Sequence, residues 1–246
     1  MKFFYKLFIV LTFGCASSTQ DYTPNNLIDS NNKALYLSEK YNSYKVGDRD
    51  INIPLLSNQF EFIDEEYNSV MEIFIPPTNE LICGFILKTE NFILETGAND
   101  PLSYYAIVQY PKQQQYTNIS EYDFQTLENE MKQMLGNGEY DDYFESSEDL
   151  LNNRLDKLDL SNFNVEIGEP VSLGTLIKKK NIYAFGMITP YKVQGNTITK
   201  SMLGILIRVK ERIIFVYIYD DFNGKGGIEK IVDLGEDFAD RILYLN

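Results

Sequence analysis

The back half of the chain limits the fold most: from residue 165 to 219 it passes through β-rich segments joined by short polar links. Segments 165–167, 171–177, 182–188, 202–209 and 213–219 are dominated by Val, Ile, Leu, Phe and Tyr, residues that suit a pleated, half-buried surface. Arg208-Val209-Lys210-Glu211-Arg212 is polar enough for a hairpin turn, although it lacks the Asn-Gly pair that such turns favour. Gly195-Asn196 marks another tight turn, between Ile188 and Ile198.

The front half adds shorter strands and two kinds of helix. Ile51, Ile53 and Leu55 alternate with Asn52 and Pro54, and Phe60 and Phe62 flank Glu61, so both stretches predict strands with one wet face. Tyr67, Met71 and Phe74 are spaced as one face of a short helix that Pro76-Pro77 ends. Segments 81–87 and 104–110 predict central strands. Ser120 is an N-cap with Asp123 three residues on, an acidic variant of the capping box. Phe124, Leu127, Met131, Met134 and Leu135 then share a face until Gly136-Asn137-Gly138 stops the helix. A terminal helix carries Ile228, Ile231, Val232, Phe238, Ala239, Ile242 and Leu243, interrupted by Gly235. The expected class is α+β: a mainly antiparallel sheet packed by an amphipathic middle helix and a C-terminal helix.

The first sixteen residues have a different character. Lys2 and Lys6 precede the uncharged run Leu7-Phe8-Ile9-Val10-Leu11-Thr12-Phe13, and Gly14-Cys15-Ala16 follows, the layout of a secretory signal too short for a permanent membrane helix. Two processing routes remain open: cleavage before Cys15, whose thiol is then the lipid attachment point, or cleavage after Ala16 with release of a soluble chain. The expected organisation is a signal peptide at 1–16, a polar linker at 17–45 and a single α+β domain at 46–246.

Composition restricts the chemistry. A formal net charge of −14 argues against phosphate backbones, so no nucleic-acid partner is expected. The 246 residues contain no histidine, which excludes Ser-His-Asp and Cys-His hydrolases and His-liganded metals or haem. Cysteine occurs only at Cys15 and Cys83, too few for structural zinc or iron–sulfur sites. Ile82, Phe85 and Ile86 around Cys83 predict a buried, inert thiol. The segment Asp221-Phe222-Asn223-Gly224-Lys225-Gly226-Gly227-Ile228 approaches a calcium loop, but Lys225 and Val232 stand where oxygen ligands belong. The same segment, through Asn223, Gly224, Gly226 and Gly227, is a candidate ligand or anion cradle at the start of the last helix; its plain alternative is a flexible turn. The acidic run from Glu139 to Asp149 suits a solvated loop.

Several short features, in order, also resemble a known group. They are the strand near Phe60, Pro76-Pro77-Thr78-Asn79-Glu80-Leu81-Ile82, Tyr105-Ala106-Ile107-Val108-Gln109, Ile119-Ser120 with Phe124, Ser172-Leu173-Gly174 and a terminal helix ending at Asn246. Together they are similar to an uncharacterised family of exported bacterial proteins with a signal peptide and one α+β domain. The resemblance implies export to the envelope; it carries no activity and no functional residue.

These observations lead to an exported cell-envelope protein, at the outer membrane or in the periplasm. It is expected to be a non-enzymatic lipoprotein tethered to the membrane by lipid on Cys15, binding a protein or small ligand, with no cofactor and no metal. The alternatives are a carboxylate-dependent hydrolase of envelope glycans and a freely secreted factor.

Overall fold

The computed structural model describes residues 40–72, 74–90, 102–137, 148, 151–153, 165–193 and 195–246. The leader with Cys15, the linker as far as residue 39 and the acidic run apart from Glu148 lie outside the described residues. No helix among the described residues is long and apolar enough to cross a membrane.

The chain adopts the α+β class with a mainly antiparallel sheet. Strands β1 (Tyr41–Val46) and β2 (Arg49–Pro54) form a separate hairpin. The first strand thus begins ahead of the Val46 start that the sequence suggests. Its pattern of alternately exposed and half-buried residues, with Asn42, Ser43 and Lys45 polar, is why it passes for linker.

Next come β3 (Phe60–Phe62), a 3-10 turn, the short helix α1 (Asn68–Glu72), β4 (Asn79–Leu87), β5 (Tyr105–Pro111) and helix α2 (Glu121–Asn137). The capping box forms as the sequence predicts. The Asp123 carboxylate accepts from the Ser120 N–H at 2.9 Å, and the Asp123 N–H donates to Ser120 Oγ at 3.1 Å. The remaining elements are β6 (Val165–Ile167), β7 (Val171–Lys179), β8 (Ile182–Val193), β9 (Asn196–Val209), β10 (Arg212–Asp221) and α3 (Gly224–Leu245).

The main sheet has eight strands in the order β3-β4-β5-β10-β9-β8-β6, with β7 also on β8, and every pairing is antiparallel. Strands β7 and β6 share one edge of β8: β7 pairs as far as Ile188, and β6 starts at Tyr191. Pro190 sits in the gap between them. Its carbonyl accepts from Gly168 N on that same edge, at 2.8 Å, so the edge its ring nitrogen faces has no ladder hydrogen bond to lose.

Strand alternation gives the sheet two apolar faces. Leu203, Ile205, Ile207, Ile214, Val216 and Ile218 face α3 and the β1–β2 hairpin, while Ile107, Leu206, Phe215 and Tyr217 lie on the face that packs α1 and α2. Helix α3 lies so close to β9 that a Cβ on Gly235 would run into the side chains of Leu203 and Ile205. The glycine that interrupts the apolar stripe is therefore what lets the helix approach. At its end, the Asn246 side chain bonds both the N–H and the C=O of Asn52, each at 2.8 Å, tying the helix to the hairpin.

Candidate functional site at the exit end of the sheet

One end of the sheet is closed by tight turns and a fixed polar network. Arg212, 2% exposed, donates to Thr117 O at 3.0 Å and Asn118 Oδ1 at 2.6 Å and pairs with Asp48 at 2.5 Å. Lys210 Nζ reaches Asp50 O at 2.7 Å. These contacts hold the turns of β1–β2 and β9–β10 to the segment before α2. The opposite end, where β10 leaves for α3 and β5 begins, carries the chemically distinctive groups.

Register places those groups in rows. Ile86 pairs with Tyr105, Tyr105 with Tyr219, Tyr219 with Met202 and Met202 with Met187, all on the α2 side. The next row inward is Gly84, Ile107, Tyr217, Gly204 and Phe185; the next outward holds Asp221, Lys200 and Thr189, and Tyr191 lies beyond it. The rings of Tyr105 and Tyr219 stack at 4.8 Å, and Phe74 lies 6.0 Å from Tyr105. Lys200 pins the segment that feeds β5, bonding Leu102 O at 2.6 Å, Ser103 O at 3.1 Å and the Asp221 carboxylate at 2.6 Å.

Four phenols gather here. Burial pushes up the hydroxyls of Tyr105, Tyr217 and Tyr219, and that of Tyr191 to about 12. For Tyr219, the neighbouring Tyr105, Tyr191 and Tyr217 push further in the same direction. All four stay protonated at physiological pH. They can donate and accept hydrogen bonds, but they are poor bases, and the adjacent Lys200–Asp221 pair cancels its own charge.

The other face of the same strands holds a second row. Asp220 pairs with Ser201, and Tyr104, one step beyond the last β5–β10 pair, comes opposite Asp220. Ser201 Oγ donates to Asp220 O at 3.2 Å. The Tyr104 ring meets Phe60 edge-on at 4.9 Å, and Lys230 Nζ from α3 lies 4.8 Å from the Tyr104 ring centroid. Burial raises the Asp220 carboxyl above the usual carboxylate range, opposed mainly by Lys230. Asp220 and Asp221 point to opposite faces, so these neighbouring acids do not face each other across a cleft.

The sequence-derived cradle lies three residues further on. Asn223 is the N-cap of α3 without a side-chain cap bond, and its amide donates to Asp221 O at 3.1 Å. Gly224 has φ +73°, the left-handed region that favours glycine, and Gly226 and Gly227 are in the first helical turns. Of the calcium-like positions, Asp221 is paired with Lys200, and Lys225 lies 3.5 Å from Glu229. Among the described residues no group of three or more His, Cys, Asp or Glu is placed to hold a metal ion. Cys83 is buried, and burial pushes its thiol up.

The phenol cluster was not singled out by sequence reasoning, which takes its tyrosines as ordinary strand formers. The signal was the period-two repeat Phe215, Tyr217, Tyr219, which puts three aromatics on one face of one strand.

No protein-family model matches the chain, and no curated protein matches it. Among solved structures, the Ran-binding protein Mog1p of Saccharomyces cerevisiae aligns with 80% of this chain and 85% of its own, at 10% identity and a TM-score of 0.30. A likeness of that size carries no argument about function.

Proposed function

We propose that this chain is an exported, non-enzymatic envelope protein, tethered through lipid on Cys15, whose domain binds a small neutral polyhydroxylated ligand such as an envelope sugar. The leader of Lys2 and Lys6, an apolar run and small residues supports export. The observation that carries the ligand reading is the gathering of Tyr105, Tyr191, Tyr217 and Tyr219 around Met187 and Met202. Aromatic walls take up the apolar faces of a sugar ring, and uncharged phenols meet its hydroxyls without demanding an ionic partner.

The test is a calorimetric titration of the mature protein with neutral, anionic and cationic saccharides of matched size. Neutral sugars are expected to bind best. Absence of binding by any neutral saccharide, or preference for a charged one, would overturn the ligand assignment.

A further inference from the structure

We propose that Asp220, with the ring and hydroxyl of Tyr104, forms a separate site for a small organic ammonium ion, and that Lys230 holds the cation's place in the free protein. Buried charges elsewhere in this molecule are paired. Five charged side chains are buried among the described residues: Glu128, Lys200, Arg212, Asp220 and Arg241. Four have an ion-pair partner: Lys178 for Glu128, Asp221 for Lys200, Asp48 for Arg212 and Asp237 for Arg241. Asp220, 8% exposed, is the exception, with no cation within 4.0 Å among the described residues. A carboxylate taken out of water without a partner is costly, and a cation that reaches it recovers that cost.

A second exception lies beside it. Tyr104, 3% exposed, has the one buried side-chain oxygen among the described residues that lacks a hydrogen-bond partner. It comes opposite Asp220 on the same face of the sheet. The unpaired carboxylate and the unpaired hydroxyl thus belong to facing residues, within electrostatic reach of each other, and Phe60 packs edge-on against the Tyr104 ring.

An ammonium group suits this set: N–H donors for Asp220 and for the Tyr104 oxygen, and a charge that the ring face attracts. The position over the ring is already taken by a cation. Lys230 Nζ is 4.8 Å from the ring centroid, yet the residue is exposed and its ammonium makes no ion pair within 4.0 Å among the described residues. A long flexible side chain held by one ring contact is readily displaced. Neutral amines lack the charge, and anions would be repelled by Asp220.

The test uses the mature protein titrated with methylammonium chloride and followed by nuclear magnetic resonance, against sodium chloride at equal ionic strength. Lys230→Met, at an exposed position, removes the competitor and is expected to strengthen binding by about 3-fold or more, the scale of one cation–π contact. Asp220→Asn is expected to weaken it by about 10-fold or more, the loss of a charge-assisted bond. Tyr104→Phe keeps the ring and is expected to weaken it by roughly 3-fold. Equal or weaker binding by Lys230→Met, an equal response to sodium chloride, or undiminished binding by a folded Asp220→Asn would each overturn the proposal. If Asp220→Asn does not fold, the Lys230→Met comparison decides alone.

Discussion

Arg212 begins strand β10 and Asp220 is its last residue but one; both are buried, but they serve the strand in opposite ways. Arg212 is paired with Asp48 and bonded to Thr117 O and Asn118 Oδ1, acceptors from two separate segments that fix the turn end, and only its Nε is left without a partner among the described residues. Asp220 has no ion-pair partner within 4.0 Å among the described residues, and this gives a signed prediction. Burial and Asp221 push its carboxyl up while Lys230, the Asp221 backbone and Lys200 pull it down, with a net rise. Its ionisation is therefore harder in the folded state than in the unfolded chain. Wild type and Asp220→Asn should be similarly stable in acid, where the carboxyl is protonated in both states. As pH rises through the ordinary carboxylate range the wild type should lose stability relative to the variant, which should melt at a higher temperature at pH 7. Thermal melts of the two proteins from acid to neutral pH check this. A variant that melts lower than wild type at pH 7 and equal to it in acid would contradict the assignment. At this scale the sequence revealed what Cys83 is, because its apolar neighbours announce burial. It did not reveal that Tyr104 and Asp220 meet, because a strand pairing between residues so far apart leaves no local mark.

The elements show where local pattern is sufficient and where packing overrides it. Helix α2 was legible at its start, where Ser120 and Asp123 cap it as read, and its described part ends at Asn137, within the Gly136-Asn137-Gly138 run expected to stop it. Strands β8 and β9 run past the expected limits, to Val193 and from Asn196. Thr189, Pro190 and Lys192 do not look like strand interior, and they are tolerated only because the partner edge is interrupted beside Pro190. The β9–β10 turn was expected without its ideal residues, and the cost is visible. Lys210 and Glu211 both have positive φ, 45° and 63°, where only glycine and asparagine are at ease. Their side chains reach the β1–β2 hairpin, Lys210 to Asp50 O and Glu211 to Arg49, and so hold the turn in place. Exchanging Lys210-Glu211 for Asn-Gly should relieve the strain at both positions and lose only exposed contacts. The expected net gain is about 1 kcal/mol in urea unfolding. A loss of stability would show that the clasp outweighs the strain.

At the scale of the whole molecule, one antiparallel sheet separates two chemistries. The α2 side of its exit end gathers neutral phenols; the α3 side gathers an unpaired carboxylate, a phenol and a displaceable cation. The class of fold was legible, since short turns between strand-like segments leave few alternatives. The site was not, because it is assembled from β5, β8, β9 and β10, and only the register of four strands brings its residues together. The sequence-derived candidates Asn223, Gly224, Gly226 and Gly227 lie just past the same end, at the start of α3. The proposed export belongs to this scale too. Intact-mass measurement of the product made in a bacterial host should find a chain starting at a lipid-modified Cys15; an unmodified start at Ser17 would replace the tether with secretion.

If the clustered phenols bind a neutral sugar-like ligand as proposed, removing their hydroxyls must lower affinity, and a ratio of two affinities reads this out. The chain has no tryptophan, so its intrinsic emission reports the tyrosines themselves. Titrating a neutral disaccharide against wild type and against Tyr217→Phe/Tyr219→Phe, which keeps both rings and removes both hydroxyls, should give affinities about 10-fold apart, two hydrogen bonds' worth. Equal affinities in two folded proteins would contradict the account.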